Sequence, residues 1–212
     1  MDPHKLRMLQ SSTECTWCTP PALVRKLQQT FHFAWDLAAD AESSICQPDS
    51  TGLGHRWLGP GSPYGEDALD VPWSDLGGYP CGFLNPPYSL TQYKQGKDAG
   101  VPAVNLRWLR IEEWARKAVV ESARGFTTVA VMPYAAQTEW FRLYVMGHTR
   151  DGNSWRGHAA LDYWRLSHRV SFLRADGQGA ANANVNTCIV IWGPNPGFVG
   201  PWVPSGRYWS YR

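Results

Sequence analysis

The chain has 212 residues, 43% of them hydrophobic, and a formal net charge of +2. That length suits one domain with a sizeable core, and the composition excludes a disordered chain. The near-neutral balance leaves no global footprint of a strongly basic nucleic-acid binder, and no apolar run approaches the roughly 20 residues of a membrane-spanning helix.

Residues 1–14 read as a flexible tail, 15–200 as a single domain and 201–212 as an aromatic-rich tail. The N-terminal "MDPHKLRMLQSSTE" lacks the apolar block of a signal peptide, which predicts a cytoplasmic protein. The 5 cysteines then favour free thiols. Cys15 and Cys18 in "CTWC" have redox or zinc spacing, but no second pair accompanies them, and no metal is expected. "TPPALVRKLQQTF" predicts a helix with Thr19 as N-cap, Pro20 in the first turn and Leu23, Leu27 and Phe31 on one face. "HFAWDLAAD" follows as a short strand ending at Asp36, with Asp40 beyond it. The Gly/Pro-rich stretch 50–80 has little regular structure and is long enough to wrap a sheet edge and line a site.

"CGFL" is a second buried strand, stopped by "NPPY" because proline cannot continue a central ladder. Residues 89–105 read as a polar, mobile excursion. Ile111, Trp114, Ala115, Ala118 and Val119 recur at helical spacing, and Gly125 ends that helix. "FTTVAVMP" is a third strand and "AQTEWFRLYVMG" the helix after it; "HRVSFL" and "TCIVIWG" are two further strands. Strands alternating with helices, then two strands together, predict an α/β three-layer fold: a mostly parallel sheet with an antiparallel strand at one side.

Ligands of such sheets collect at the carboxyl ends of the strands, where Asn85 stands. Asn85 followed by Pro86 and Pro87 fixes two acceptors, the Asn85 side-chain oxygen and the Pro86 carbonyl, whose direction the Pro87 ring restricts. Two converging acceptors suit an exocyclic or amide NH2. Held by acceptors outside the ring plane, that nitrogen moves toward a tetrahedral shape and its lone pair becomes available to attack. Tyr88 supplies a face for a planar base. The bland reading of "NPPY" is a turn after a strand.

With these residues in place, the chain resembles the phage-type DNA N6-adenine methyltransferases, from about Thr19 to about Trp192. The resemblance rests on "TPPALVRKL", "FHFAWDLAAD", "EDALDVPW", "GFLNPPYS", "TTVAVMPYAAQTEWF", "HRVSFL" and "TCIVIWG" in that order. It implies a Rossmann-like class I methyltransferase fold, a catalytic domain over 15–200, S-adenosyl-L-methionine as cofactor, and an adenine flipped out of double-stranded DNA. It makes Asn85, Pro86, Pro87 and Tyr88 the target-base motif and places Thr19 and Pro20 beside the methionine part of the cofactor. Asp36 is similar to the family's acidic residue near the cofactor, and Asp67 to the residue approaching its adenine. Phe31, Trp17 and Trp35 offer aromatic faces to the cationic sulfur. In one departure, "DLAAD" stands where many methyltransferases carry an FxGxG glycine loop.

The DNA itself must then be held by loops, 89–107 and 147–158. Lys94, Lys97, Arg107, Arg142, Arg150 and Arg156 are candidates for phosphates or a guanine edge, and Tyr93 and Trp155 for filling the space a flipped base vacates. A solvated surface charge is the ordinary reading of any one of them. The rivals are methylation of another amino or amide nitrogen (cytosine N4, an RNA base, a protein glutamine) and a non-catalytic phage DNA-binding protein.

Overall fold

A computed structural model describes residues 18–40, 56–148, 160–173, 186–194 and 208–210. Helix α1 (Pro21–Gln28) opens on two prolines, whose missing N–H groups a first turn leaves unpaired anyway. Pro20, not Thr19, is the N-cap, and no side chain caps the turn. Leu23 and Leu27 are fully buried on its inner face.

Six strands follow: β1 (Trp35–Asp36), β2 (Cys81–Leu84), β3 (Thr127–Pro133), β4 (Asp162–Leu166), β5 (Thr187–Trp192) and β6 (Tyr208–Trp209). They form one sheet in the order β1-β2-β3-β5-β4-β6. The β1–β2, β2–β3 and β4–β6 pairs are parallel, whereas β5 runs antiparallel to both β3 and β4. The reversed strand thus lies inside the sheet rather than at one side. Its composition explains why. Every residue of Thr187–Trp192 is buried, so β5 needs neighbours on both edges, while the half-buried β4 tolerates an outer place. Trp209 and Tyr208, from the segment set apart as a tail, complete the edge beside β4.

Helices cover both faces. On one, Val129, Val131, Ile189 and Ile191 pack with Leu23 and Leu27 of α1. On the other, Ala130, Met132, Val190 and Trp192 pack with Trp114, Ala115 and Ala118 of helix α3 (Ile111–Ala123) and with Trp140 and Phe141 of helix α4 (Glu139–Tyr144). Strict alternation along β3 and β5 therefore feeds two cores, which is the three-layer α/β arrangement the element order predicts.

Two further expectations need correction. "HRVSFL" makes no strand beyond a single bridge from Leu173 to Cys18; the strand sits just upstream, at Asp162–Leu166. Trp164 alone is buried there, so the segment lacks the apolar run that announces a strand. The polar stretch after NPPY is helical: α2 spans Leu90–Asp98, and a 3-10 turn spans Ala103–Leu109. Gly96 lets the two meet, since an added Cβ would lie 2.8 Å from Leu106. Residues 56–80 close the β1 edge: Trp57 bridges Asp36, and the Leu58 N–H donates to the Asp36 carbonyl at 2.8 Å.

Candidate active site

Strand β2 is buried along its whole length, and its ladder with β3 ends at Leu84 opposite Ala130. Neither Pro86 nor Pro87 has an N–H to extend it, so the chain leaves the sheet at Asn85. Asn85 and Pro87 are half-buried and Pro86 is buried. Immediately after the motif the Ser89 N–H donates to the Leu109 carbonyl at 3.1 Å and α2 begins. The four residues are thus anchored at both ends, by the sheet and by the 103–109 turn.

Tyr88 keeps 37% of its surface exposed. Its hydroxyl end is nonetheless surrounded by protein: burial first, and the Cys188 thiol second, push the phenol up to about 12. The phenol is therefore neutral across the ordinary pH range, while about a third of the side chain stays open.

The N-terminal candidates gather at the end of β1. Asp36 pairs in register with Phe83, two residues before Asn85, so on ordinary strand spacing and rise the two backbones lie about 8 Å apart. Asp36 is 3% exposed and Thr19 is 8% exposed. Cys18, next to Thr19, has its thiol raised by burial and then by the charges of Asp40 and Asp36, which sets the start of α1 against this acidic corner. Two carboxylates near the start of α1 suit a ligand that carries positive charge, as S-adenosyl-L-methionine does on its sulfur and ammonium. Gly59, at φ +143°, backs onto the Ala39 carbonyl so closely that a Cβ would overlap it. That contact fixes the loop leading to Asp67.

Asp67 sits in a tight turn, where its Oδ1 accepts the Leu69 N–H at 2.9 Å and its Oδ2 accepts Arg107 Nη2 at 2.9 Å. The same guanidinium nitrogen reaches Asp70 at 2.5 Å. Arg107 is therefore engaged within the protein. Phe31 packs against Phe33 and Trp164, with ring centroids 6.2 and 5.9 Å away. Trp35 is 2% exposed, edge-on to Tyr64, with its Nε1 donating to the Gly77 carbonyl at 2.9 Å. These two rings face opposite cores.

Of the DNA candidates, Lys94 and Lys97 are exposed on α2, Tyr93 lies 5.7 Å from the Arg110 guanidinium, and Arg142 is half-buried in α4. Trp17, Arg150, Trp155 and Arg156 lie outside the described residues.

The structure adds a group that sequence reading missed. At the same carboxyl edge, Tyr134 follows β3 and stacks on Tyr163 at 6.2 Å, while Arg165 lies 5.9 Å from the Tyr134 ring and 4.2 Å from the Tyr208 ring. Tyr134 stands directly after "VAVMP", the same strand-end position that singled out Asn85; that signal was present. Among the described residues, no three His, Cys, Asp or Glu side chains gather as for a metal, and no helix is long and apolar enough to cross a membrane.

A family model described as DNA N-6-adenine-methyltransferase (Dam) matches residues 8–197. No curated protein and no solved structure matches the chain.

Proposed function

We propose a reaction from the premise that the chain belongs to the DNA N-6-adenine-methyltransferase (Dam) family, whose model spans most of it. The reaction is transfer of a methyl group to the exocyclic N6 of an adenine in double-stranded DNA, with the base turned out of the duplex. The observation that carries this reading is the position of Asn85 and Pro86, at the end of a buried parallel strand and braced from behind by the Ser89–Leu109 bond.

Bound S-adenosyl-L-methionine would supply an electrophilic methyl on a good leaving group. Thr19, Asp36 and Asp67 would hold it, and the carboxylates at the end of β1 suit its positive charge. Asn85 Oδ1 and the Pro86 carbonyl accept the two amino hydrogens of the adenine and draw its lone pair out of conjugation. Tyr88 stacks on the base and keeps it in plane, a contribution of about 1–3 kcal/mol for one base on one aromatic ring. The N6 lone pair would take the methyl group in place of the donor's sulfur, and the nitrogen, then positively charged, would release a proton to solvent. No strong base is needed. Orientation and fixed dipoles account for the rate. Lys94 and Lys97 on α2, next to the motif, would contact phosphates.

Calorimetric titration with S-adenosyl-L-methionine tests the enzyme reading against a pure DNA-binding module. Saturable one-to-one binding is expected; no heat at any concentration would leave the DNA-binding module as the better account.

A further inference from the structure

Arg107 occupies an unusual place in this fold. One of its nitrogens, Nη2, serves two carboxylates, Asp67 at 2.9 Å and Asp70 at 2.5 Å. The hydrogen bond that the guanidinium donates to Asp70 is the largest influence holding it protonated, with Asp67 adding to it against the cost of burial. The clasped turn is rigid on its own account: Asp67 Oδ1 accepts the Leu69 N–H, and the Asp67 carbonyl accepts the Asp70 N–H at 3.0 Å.

On its other side, Arg107 belongs to the seven-residue turn Ala103–Leu109. Two residues further on, the Leu109 carbonyl takes the Ser89 N–H, the first backbone bond after NPPY. The Arg107 carbonyl accepts the Arg110 N–H at 2.9 Å, and Arg110 in turn lies over the Tyr93 ring of α2. A single short segment thus grips the Asp67 turn with a side chain and the base motif with its backbone.

We infer that Arg107 is a positioning residue that couples the Asp67 turn to the motif at 85–88, so that methyl donor and DNA strengthen each other's binding. The inference rests on the methyltransferase reading and goes beyond it, because that reading requires only that both ligands bind. It also replaces the expectation that Arg107 holds a phosphate. Shifting the Asp67 turn moves Leu109, and with it the bond that fixes the exit of the target-base motif. Coupling through a half-exposed ion pair should be modest, about fivefold in affinity, and must be the same in both directions.

The test uses the full chain. The dissociation constant of S-adenosyl-L-methionine is measured by calorimetry with and without a saturating oligonucleotide duplex, and the duplex affinity is measured across a salt series. Wild type should bind the cofactor about fivefold more tightly, or better, when the duplex is present. In Arg107→Met that ratio should fall to about one with the salt slope unchanged, and Arg107→Lys should restore part of it. An unchanged ratio in Arg107→Met overturns the inference. So does a salt slope reduced by about one with the ratio intact, the signature of a lost phosphate contact. Should Arg107→Met fail to fold, Asp70→Asn loosens the clasp from its exposed side, and an unchanged ratio there is equally fatal. Wild type that binds no cofactor overturns the methyltransferase reading itself; wild type that binds both ligands without mutual effect overturns only the coupling.

Discussion

Replacing Asn85 by Ala removes one of the two proposed acceptors and leaves the proline-fixed carbonyl in place. We expect Asn85→Ala to lower kcat by about 100- to 1,000-fold, the scale seen when one preorganised hydrogen-bonding group is removed from a reacting centre. Affinity for S-adenosyl-L-methionine, measured by titration, should hardly change, since the proposed role of Asn85 is toward the base. Loss of both together would make Asn85 a structural residue instead. Tyr88 separates stacking from ionisation. Its phenol is pushed up to about 12, chiefly by burial, so it stays neutral across the ordinary pH range. Tyr88→Phe should therefore leave the pH profile of transfer unchanged up to about pH 9, whereas Tyr88→Ala should raise KM for DNA by about ten-fold or more through lost stacking. An alkaline limb that disappears in Tyr88→Phe would assign the hydroxyl a direct role. NPPY was legible at this scale because two prolines stop a strand wherever they occur. Of the Tyr134–Arg165–Tyr208 group only the strand-end place of Tyr134 was legible; its meeting with Arg165 and Tyr208, from two other strands, waits on the formed sheet.

At the scale of elements, α3 is tied to the loop that closes the β1 edge through Glu121. Its side chain is fully buried; Oε1 accepts Lys117 Nζ at 2.6 Å and Oε2 accepts the Ser74 N–H at 2.9 Å. Burial alone would raise this carboxyl, yet the Lys117 ammonium and the Ser74 N–H hold it below its ordinary value. Its folded pKa is thus lower than its unfolded one, so its stabilisation is present above the ordinary carboxylate range and is lost as pH falls through the folded value. Glu121→Ala leaves Lys117, only 14% exposed, without its partner. We expect a loss of about 3 kcal/mol in denaturant unfolding at neutral pH, narrowing in acid. A loss below 1 kcal/mol would mean that the pair is solvated. The elements that sequence reading placed well, β2, β3, β5 and α3, carry dense apolar signals: unbroken buried runs in the strands, a period near 3.6 in the helix. It failed where that signal thins. Asp162–Leu166 buries one side chain, and α2 is a polar helix whose Gly96 lies against Leu106, a contact no local pattern announces.

For the whole molecule, a short chain brings a strand-end amide and an acidic corner to one edge of a six-stranded sheet, and the segment that braces the amide also clasps the Asp67 turn. The order of elements told most of this, since alternating strands and helices put their connections at the carboxyl edge. The inside position of the reversed strand did not follow from order, because it depends on β4 and β6 being able to cover β5. The central claim is that this edge delivers a methyl group to an adenine amino nitrogen. Purified protein incubated with unmethylated duplex DNA and methyl-labelled S-adenosyl-L-methionine, followed by digestion to nucleosides, tests it most directly. The label should co-migrate with N6-methyladenine in wild type and appear about 100- to 1,000-fold more slowly in Asn85→Ala. Label confined to 4-methylcytosine, or none in DNA at any enzyme concentration, would contradict it.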